Sequence, residues 1–139
     1  MIINDTLIQE CDEGQYIEKM QWSKHRYGLD NLRIKCSGNN GWNKEFFPDR
    51  TDEEDWDHEM DCSESGIRQV NARDVGLGWD RIVNVRAYCL KSEIAITSNN
   101  DMAGNWNKDL KCREGQQFVG VQPAYLTGHG FENFRWLCA

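Results

Sequence analysis

Six cysteines divide this chain into three segments of similar length, each of which begins and ends on a cysteine. Each segment opens with a Cys-x-Glu motif that is soon followed by glycine, and each closes on an arginine-containing run that ends in cysteine. Successive segments start about 50 residues apart, and a period of this length is typical of proteins built from repeated structural units. The sequence therefore predicts three equivalent units, which run from Cys11 to Cys36, from Cys62 to Cys89 and from Cys112 to Cys138.

The repeat also restricts how the cysteines can pair. Equivalent units should form equivalent bonds, which predicts the disulfides Cys11–Cys36, Cys62–Cys89 and Cys112–Cys138. Each would close a loop of 25 to 27 residues, and loops of that size stabilise a fold by about 3 kcal/mol each. Six buried free thiols are the alternative that remains open at this point. Zinc ligation is not favoured, because the sequence lacks both Cys-x2-Cys pairs and clustered histidines.

Disulfides form in oxidising compartments, so this cysteine pattern predicts a secreted, extracellular protein. Met1 is followed by neither a basic stretch nor an apolar leader, and we interpret the sequence as the mature segment of a secreted chain. The single glycosylation sequon, at Asn4, agrees weakly with that interpretation. No apolar run approaches the length of about 18 residues that a membrane-spanning helix needs, so we expect no membrane-spanning segment.

The negative charge is concentrated in one segment. The chain has a net charge of −7, and the stretch Asp49–Asp61 contains eight acidic residues and one basic residue, Arg50. This stretch accounts for the whole net charge, and the remainder is balanced. A neutral body with one acidic segment argues against nucleic acid as a partner. Within the stretch, Asp52–Met60 could form one helical turn, but its charge density favours a solvated loop, with calcium binding as the less favoured alternative.

Strand signals dominate the rest of the chain. Short alternating or β-branched runs are separated by turn clusters, and no segment shows a sustained helical stripe of apolar residues. One four-stranded sheet cannot bury its apolar face alone, whereas three sheets facing inward can. We therefore expect an all-β, disulfide-stabilised single domain, 1–139, of three internal repeats. The clearest strands are predicted over Leu32–Cys36, Ile82–Cys89, Glu93–Thr97, Phe118–Val121 and Phe134–Cys138.

The motif Cys-x-x-Gly, a hydrophobic strand, and then Asp-Asn-Leu-Arg-x-x-Cys resembles the vitelline membrane outer layer protein I family. The strongest pieces are residues 28–36 (GLDNLRIKC) and 130–138 (GFENFRWLC). The resemblance implies a β-prism, in which three Greek-key sheets surround a pseudo-three-fold axis. A second resemblance is to dermatopontin, through Asp80-Arg81 in a segment that ends at Cys89.

Arginine recurs at one position of each closing strand, at Arg33, Arg86 and Arg135. These side chains could pair with acidic residues between sheets, or they could be edge charges, and the sequence leaves both readings open.

Several tryptophans lie beside turns rich in Gly, Asn and Asp. Exposed aromatic rings stack on the C–H faces of sugars, while amides and carboxylates bind the hydroxyl groups. We therefore take a set of these residues as candidate carbohydrate contacts, with packing in the core as the alternative for each tryptophan. The candidates are Trp22, Trp42, Trp79, Trp106, Asp30 and Asp80.

No phosphate loop, dinucleotide fingerprint, nucleophile elbow or His-Glu-x-x-His motif is present, so the sequence predicts no catalytic residues, no metal and no cofactor. The leading hypothesis is a structural, carbohydrate-binding protein of an extracellular coat or matrix, with glycans or matrix glycoproteins as partners. The alternative is a soluble lectin that acts in defence or toxicity. A glycosidase, which needs only two placed carboxylates, is the third possibility.

Overall fold

The computed structural model describes residues 2–3, 8–25, 28–43, 45–46, 55–74, 82–98, 105–126 and 130–139. Every regular element in these ranges is a β-strand. The same ranges contain no helix that is long and apolar enough to cross a membrane. The strands are β1 (Ile2–Ile3), β2 (Gln9–Glu10), β3 (Ile17–His25), β4 (Gly28–Cys36), β5 (Asp55–Trp56), β6 (Met60–Asp61), β7 (Ile67–Asp74), β8 (Ile82–Cys89), β9 (Ala95–Thr97), β10 (Asn105–Lys111), β11 (Phe118–Leu126) and β12 (Gly130–Cys138).

The strands form three four-stranded antiparallel sheets, each built on the hairpin of one repeat unit. In sheet 1 the hairpin β3–β4 carries both β5 and β6 on its β3 side. In sheet 2 the order is β10-β7-β8-β9, so the last strand returns beside the first, as in a Greek key. In sheet 3 the hairpin β11–β12 is completed by β1 and β2, which both pair with β11. The two ends of the described chain therefore share one sheet. The presence of three sheets and of strands as the regular elements confirms the predicted all-β arrangement.

The three sheets turn their apolar faces toward one shared core. The second strand of each hairpin, β4, β8 and β12, contacts its two counterparts across this core. Trp22 of sheet 1 packs edge-on against Phe131 and Phe134 of sheet 3, with ring centroids 6.0 and 5.1 Å apart. This geometry is preferred by aromatic pairs, because the positive ring edge meets the negative ring face.

Every hairpin contains a β-bulge close to the start of its first strand. The register shifts after Ile17 in β3, after Ile67 in β7 and after Phe118 in β11. A bulge inserts one unpaired residue, so the spacing of inward-facing residues there becomes three instead of two. The buried pairs Ile17 and Met20, Ile67 and Val70, and Phe118 and Val121 follow this spacing.

Each disulfide joins two neighbouring sheets. The opening cysteine of a unit follows the last strand of the preceding sheet, and its amide donates to a carbonyl of that sheet's hairpin. The closing cysteine ends the second hairpin strand of its own sheet. The amide-to-carbonyl distances are 2.8 Å for Cys11 to Val119, 2.7 Å for Cys62 to Glu18 and 2.9 Å for Cys112 to Arg68. The bonds are Cys11–Cys36, Cys62–Cys89 and Cys112–Cys138, the pairs that the repeat predicts.

Together these bonds connect sheet 3 to sheet 1, sheet 1 to sheet 2, and sheet 2 to sheet 3. The sheets are therefore closed into a covalent ring. This closure complements the backbone connection made by β1 and β2, which ties the start of the chain to the sheet at its other end.

The acidic segment differs from the solvated loop predicted for Asp52–Met60. Residues 49–54 lie outside the described part of the chain, but Asp55–Trp56 and Met60–Asp61 are edge strands paired with β3. Asp57 is only 8 % exposed, and its carboxylate accepts a hydrogen bond from the backbone amide of His58 at 2.8 Å. Pairing with β3 provides hydrogen-bond partners for the backbone groups of this stretch and buries Met60. Both effects offset the unfavourable free energy of placing so many acidic residues close to the sheet.

Candidate functional site

The candidate sugar contacts are distributed between the core, the sheet edges and parts of the chain outside the described ranges. Trp79, Asp80 and the sequon residue Asn4 fall outside those ranges. Asp30 is half-buried within β4 and forms interactions there. Trp42 and Trp106 are half-buried at sheet edges and remain candidates.

Trp22 is the exception, and its assignment as a sugar contact is wrong. It lies on the inward face of β3, has 0 % exposure, and packs against Phe131 and Phe134. A ring without exposed surface cannot stack on a sugar. Its neighbourhood in sequence resembles a binding loop, but the alternation of the strand turns the side chain inward.

The outer face of sheet 1 contains an arginine held between two tryptophans, and we call Gln21, Arg33, Trp42 and Trp56 the Trp42 cluster. The guanidinium carbon of Arg33 lies 4.5 Å from the ring centroid of Trp42 and 4.8 Å from that of Trp56. Both distances fall within the range of cation–π attraction. The two rings come from opposite edges of the sheet, because Trp56 belongs to β5 while Trp42 precedes Asn43, whose amide bonds to β4.

Gln21 fixes the position of this arginine. Its side-chain oxygen accepts hydrogen bonds from Nε of Arg33 at 2.8 Å and from Nη2 at 2.5 Å. The amide nitrogen of Gln21 donates to the carbonyl oxygen of Asp57 at 2.5 Å. One buried glutamine therefore connects β3, β4 and the acidic edge strand, and it pre-orients the cation beneath the Trp42 ring.

Trp42 also adjoins an exposed polar turn. Residues 38–41 are all exposed, and the side-chain amide of Asn39 donates to the side-chain oxygen of Asn43 at 2.8 Å. This arrangement places a partly accessible indole ring beside amide donors and acceptors. Such a combination can stack on the apolar face of a sugar and bind its hydroxyl groups.

Sheet 2 has a related cluster on its outer face, around Trp106. The guanidinium carbons of Arg73 and Arg86 lie 4.6 and 4.4 Å from the centroid of the Trp106 ring. Two cations contact this ring, whereas Arg33 alone contacts Trp42 among the residues that the structure describes. The Trp106 ring therefore has less free surface for a ligand.

The recurring arginines do not share one role. Arg33 and Arg86 stack on tryptophan rings, while Arg135 of sheet 3 is exposed. The tryptophan that lies six residues before Cys62 and Cys112 has no counterpart before Cys11, where Asp5 stands instead. Among the residues that the structure describes, Arg33 contacts one glutamine and two rings, and an acidic partner for it is not among these contacts. The recurring tryptophans and arginines are visible in the sequence, but the order of the strands in each sheet is needed to tell which arginine contacts which tryptophan ring.

Two cavities lie beside the opening cysteines Cys62 and Cys112, and no sequence motif predicts them. The Cys62 cavity, of about 440 Å³, is lined by Asp61, Ser63, Glu64, Lys91 and Ser92 among others. The Cys112 cavity, of about 340 Å³, is lined by Arg68, Leu90, Lys111, Arg113 and Glu114 among others. Within the described ranges, no three His, Cys, Asp or Glu side chains come close enough to hold a metal ion.

Asp61, which lines the Cys62 cavity, has a pKa below its ordinary value. The hydroxyl group of Ser63 donates to its carboxylate, and the backbone amide of Ser63 donates at 2.9 Å. These hydrogen bonds, the hydroxyl bond most of all, hold the pKa of Asp61 below its ordinary value. Partial burial opposes the shift, and the nearby charge of Lys19 supports it. Asp61 is therefore ionised at neutral pH.

The chain matches no protein-family profile and no curated protein. Two solved structures are similar to it over nearly their whole length. One is a galactose-binding lectin from Champedak with Gal(β)1,3-GalNAc, at a TM-score of 0.65 and 10% identity, covering 95% of this chain and 98% of that chain. The other is frutalin from Artocarpus incisa in complex with galactose, at a TM-score of 0.62 and 11% identity, covering 94% and 95%. At such identities the likeness shows the fold, which is a β-prism of three sheets.

Proposed function

We propose that this chain is an extracellular carbohydrate-binding protein and that Trp42 is the ring on which the sugar stacks. The observation that carries the proposal is the partly exposed Trp42 ring beside the polar turn 38–41. The fold supports it, since both similar β-prism structures are complexes with galactose or a galactose-containing disaccharide. Galactose and Gal(β)1,3-GalNAc are therefore the first ligands to test.

Arg33 supports this role without contacting the ligand. Its cation lies against one side of the Trp42 ring and is itself fixed by Gln21. A ring held in one orientation loses little conformational entropy when a sugar binds, and pre-organisation of this kind favours affinity. Weak single-site binding is the expected regime for one ring and a few amides.

A structural role in an extracellular coat or matrix is our preferred setting for this binding. Three disulfides suit an oxidising extracellular environment, and the sequence resembles a family of outer-layer proteins. A soluble lectin that agglutinates cells needs several equivalent sites per particle. The second unit differs from the first at the position of Trp42, with Ala95 at the matching place after Cys89. A repeat unit without an aromatic ring at this position favours anchoring over cross-linking.

A glycan array followed by calorimetry tests the proposal. We expect galactose-terminated glycans to bind, and we expect Trp42→Ala to weaken binding by about tenfold or more, the loss of roughly one stacking contact. Trp106→Ala is the control, because it removes the same residue type from an arginine contact on sheet 2. Binding that survives Trp42→Ala but is lost in Trp106→Ala would place the site on sheet 2 and refute the assignment. Silence of the array toward all glycans would refute the function.

A further inference from the structure

The three opening cysteines provide a comparison that is internal to the molecule. Each lies where one sheet meets the next, and each donates its amide to the preceding hairpin. The residues around them are therefore structurally equivalent, and differences between the three junctions reflect the sequence rather than the fold.

Only one junction is cationic. Around Cys112, the residue whose carbonyl accepts the cysteine's hydrogen bond and the two flanking residues are Arg68, Lys111 and Arg113, with Glu114 next. The equivalent residues around Cys62 are Glu18, Asp61, Ser63 and Glu64. Those around Cys11 are Val119, Glu10, Asp12 and Glu13. In a chain with a net charge of −7, three cations replace acidic or uncharged residues at this single junction.

These three cations line the Cys112 cavity, whose volume of about 340 Å³ is at the lower end of the usual range for small-molecule sites. Leu90 contributes an apolar wall, and Gln116 contributes an amide. The cavity therefore combines three cations, which outnumber the single carboxylate of Glu114, with one apolar surface and a neutral hydrogen-bonding group.

Arg68 is already positioned within this cavity. Its Nη2 donates to the carbonyl oxygen of Ser92 at 3.0 Å, and its guanidinium carbon lies 5.2 Å from the ring centroid of Tyr88. The nearest carboxylate, of Glu93, is 3.9 Å away on a side chain that is fully exposed, so solvent screens much of its charge. Lys111 and Arg113 are exposed on the same rim. An anion that enters would meet one fixed cation and two adjustable ones.

We propose that the Cys112 cavity binds the anionic substituent of an acidic saccharide, a sulfate or a carboxylate, while the sugar ring packs against Leu90. This inference rests on the proposed carbohydrate binding and adds the ligand class and a second site. Guanidinium groups bind sulfate and carboxylate oxygens in bidentate geometry, which a neutral sugar cannot exploit. The acidic charge elsewhere on the chain disfavours nonspecific adsorption of polyanions, so selectivity depends on this junction.

Four probes separate the contributions: galactose 6-sulfate, galacturonic acid, galactose and inorganic sulfate. Each is titrated into the ¹⁵N-labelled protein at low salt, and the backbone amides of Arg113, Gly115 and Gln116 are followed by NMR. We expect both acidic sugars to shift these amides and to bind at least about fivefold more tightly than galactose does here, with the difference shrinking as salt rises. Inorganic sulfate should bind more weakly than galactose 6-sulfate, because it lacks the ring.

The test variant is the double substitution Lys111→Gln/Arg113→Gln, and its control is Lys91→Gln/Arg135→Gln, which removes the same charge from exposed positions elsewhere. We expect the test variant to weaken binding of galactose 6-sulfate by about tenfold, the scale of one lost charge-assisted hydrogen bond, and the control to change it less than about twofold. Equal losses in both variants would refute a localised site. Equal affinity for inorganic sulfate and galactose 6-sulfate would refute the saccharide part.

The outcomes also separate this inference from the Trp42 proposal. If galactose shifts the Trp42 indole signal but no acidic probe shifts residues 112–116, the Cys112 site is wrong and the proposed function stands. If galactose 6-sulfate shifts residues 112–116 but galactose leaves Trp42 unchanged, the Trp42 assignment is wrong and this site stands.

Discussion

Arg33 lies against the ring of Trp56, with its guanidinium carbon 4.8 Å from the ring centroid, and Arg86 repeats this contact with Trp106 at 4.4 Å one unit later. In both cases the arginine lies on the second hairpin strand and the tryptophan lies on the edge strand beyond the first. The contact therefore spans a sheet and attaches its edge strand. The chain has Asp5 in place of a tryptophan at the matching position before Cys11, so this tryptophan–arginine contact has no counterpart in the described part of sheet 3.

The substitution Trp56→Ala should lower the free energy of unfolding by about 1–3 kcal/mol. It removes a cation–π contact and part of the packing of a half-buried ring, so the loss is smaller than for a fully buried tryptophan. Arg135→Ala, at the equivalent exposed arginine of sheet 3, should change stability by less than about 0.5 kcal/mol. Chemical denaturation with the disulfides intact measures both. A Trp56→Ala variant as stable as the parent would show that this contact does not hold the edge strand.

Removing one inter-sheet disulfide should loosen the ring without preventing the other two bonds. The double variant Cys62→Ala/Cys89→Ala should lose about 2–5 kcal/mol of stability, in line with other native disulfides. Peptide mapping without reduction should still link Cys11 to Cys36 and Cys112 to Cys138. A peptide that links Cys36 to Cys62 in the parent protein would contradict the pairing.

The glycines that follow the opening cysteines offer a graded test of backbone strain. Gly14 and Gly66 have φ angles of 82° and 86°, which side chains rarely adopt. A Cβ atom at Gly66 would lie 2.9 Å from the Tyr16 ring, whereas one at Gly14 would meet nothing within 4 Å. We expect Gly14→Ala to cost about 1 kcal/mol from strain alone and Gly66→Ala to cost more. Gly41→Ala, which has neither problem, should be nearly neutral in a thermal melt.

The free energy of unfolding should fall when Asp61 becomes protonated. Its pKa is lower in the folded protein than its ordinary value, chiefly because of the hydrogen bond from Ser63. The ionised form therefore stabilises the fold above the ordinary carboxyl pKa, and this contribution disappears as the pH falls through the lowered pKa. Asp61→Asn should be slightly less stable than the parent at neutral pH and equal to it in strong acid. A difference that persists or grows in acid would show that the hydrogen bonds to Ser63 are not the cause.

The sequence predicted the fold well because cysteine spacing and strand composition are local signals that repeat. The three units, the three sheets and the fold class all follow from them. The sequence did not single out β3 and β7, because charged and polar residues separate the buried ones along both strands, whereas β11 has the same bulge but an apolar start at Phe118–Val121. The acidic segment was misread because charge suggests solvation, whereas pairing of Asp55–Trp56 with β3 is a nonlocal interaction that composition does not encode.

The candidate site was predicted only in part. Trp42 lies beside an exposed turn, and its role as a sugar contact stays a prediction, whereas Trp22 carries the same local signal and is in the core. Distinguishing the two requires knowing which face of a strand each occupies. The contacts of Arg33 with Gln21 and with two rings, and the cationic junction at Cys112, join residues that are distant in sequence, so no motif could reveal them.

The most direct test of carbohydrate binding at Trp42 follows the indole N–H signals of the ¹⁵N-labelled protein while Gal(β)1,3-GalNAc is added. The signal of Trp42 is assigned by its absence in Trp42→Phe. We predict that this signal shifts in a saturable manner, while the signal of Trp22, a ring with 0 % exposure, stays unchanged. An unchanged Trp42 signal at millimolar disaccharide would contradict the proposed function.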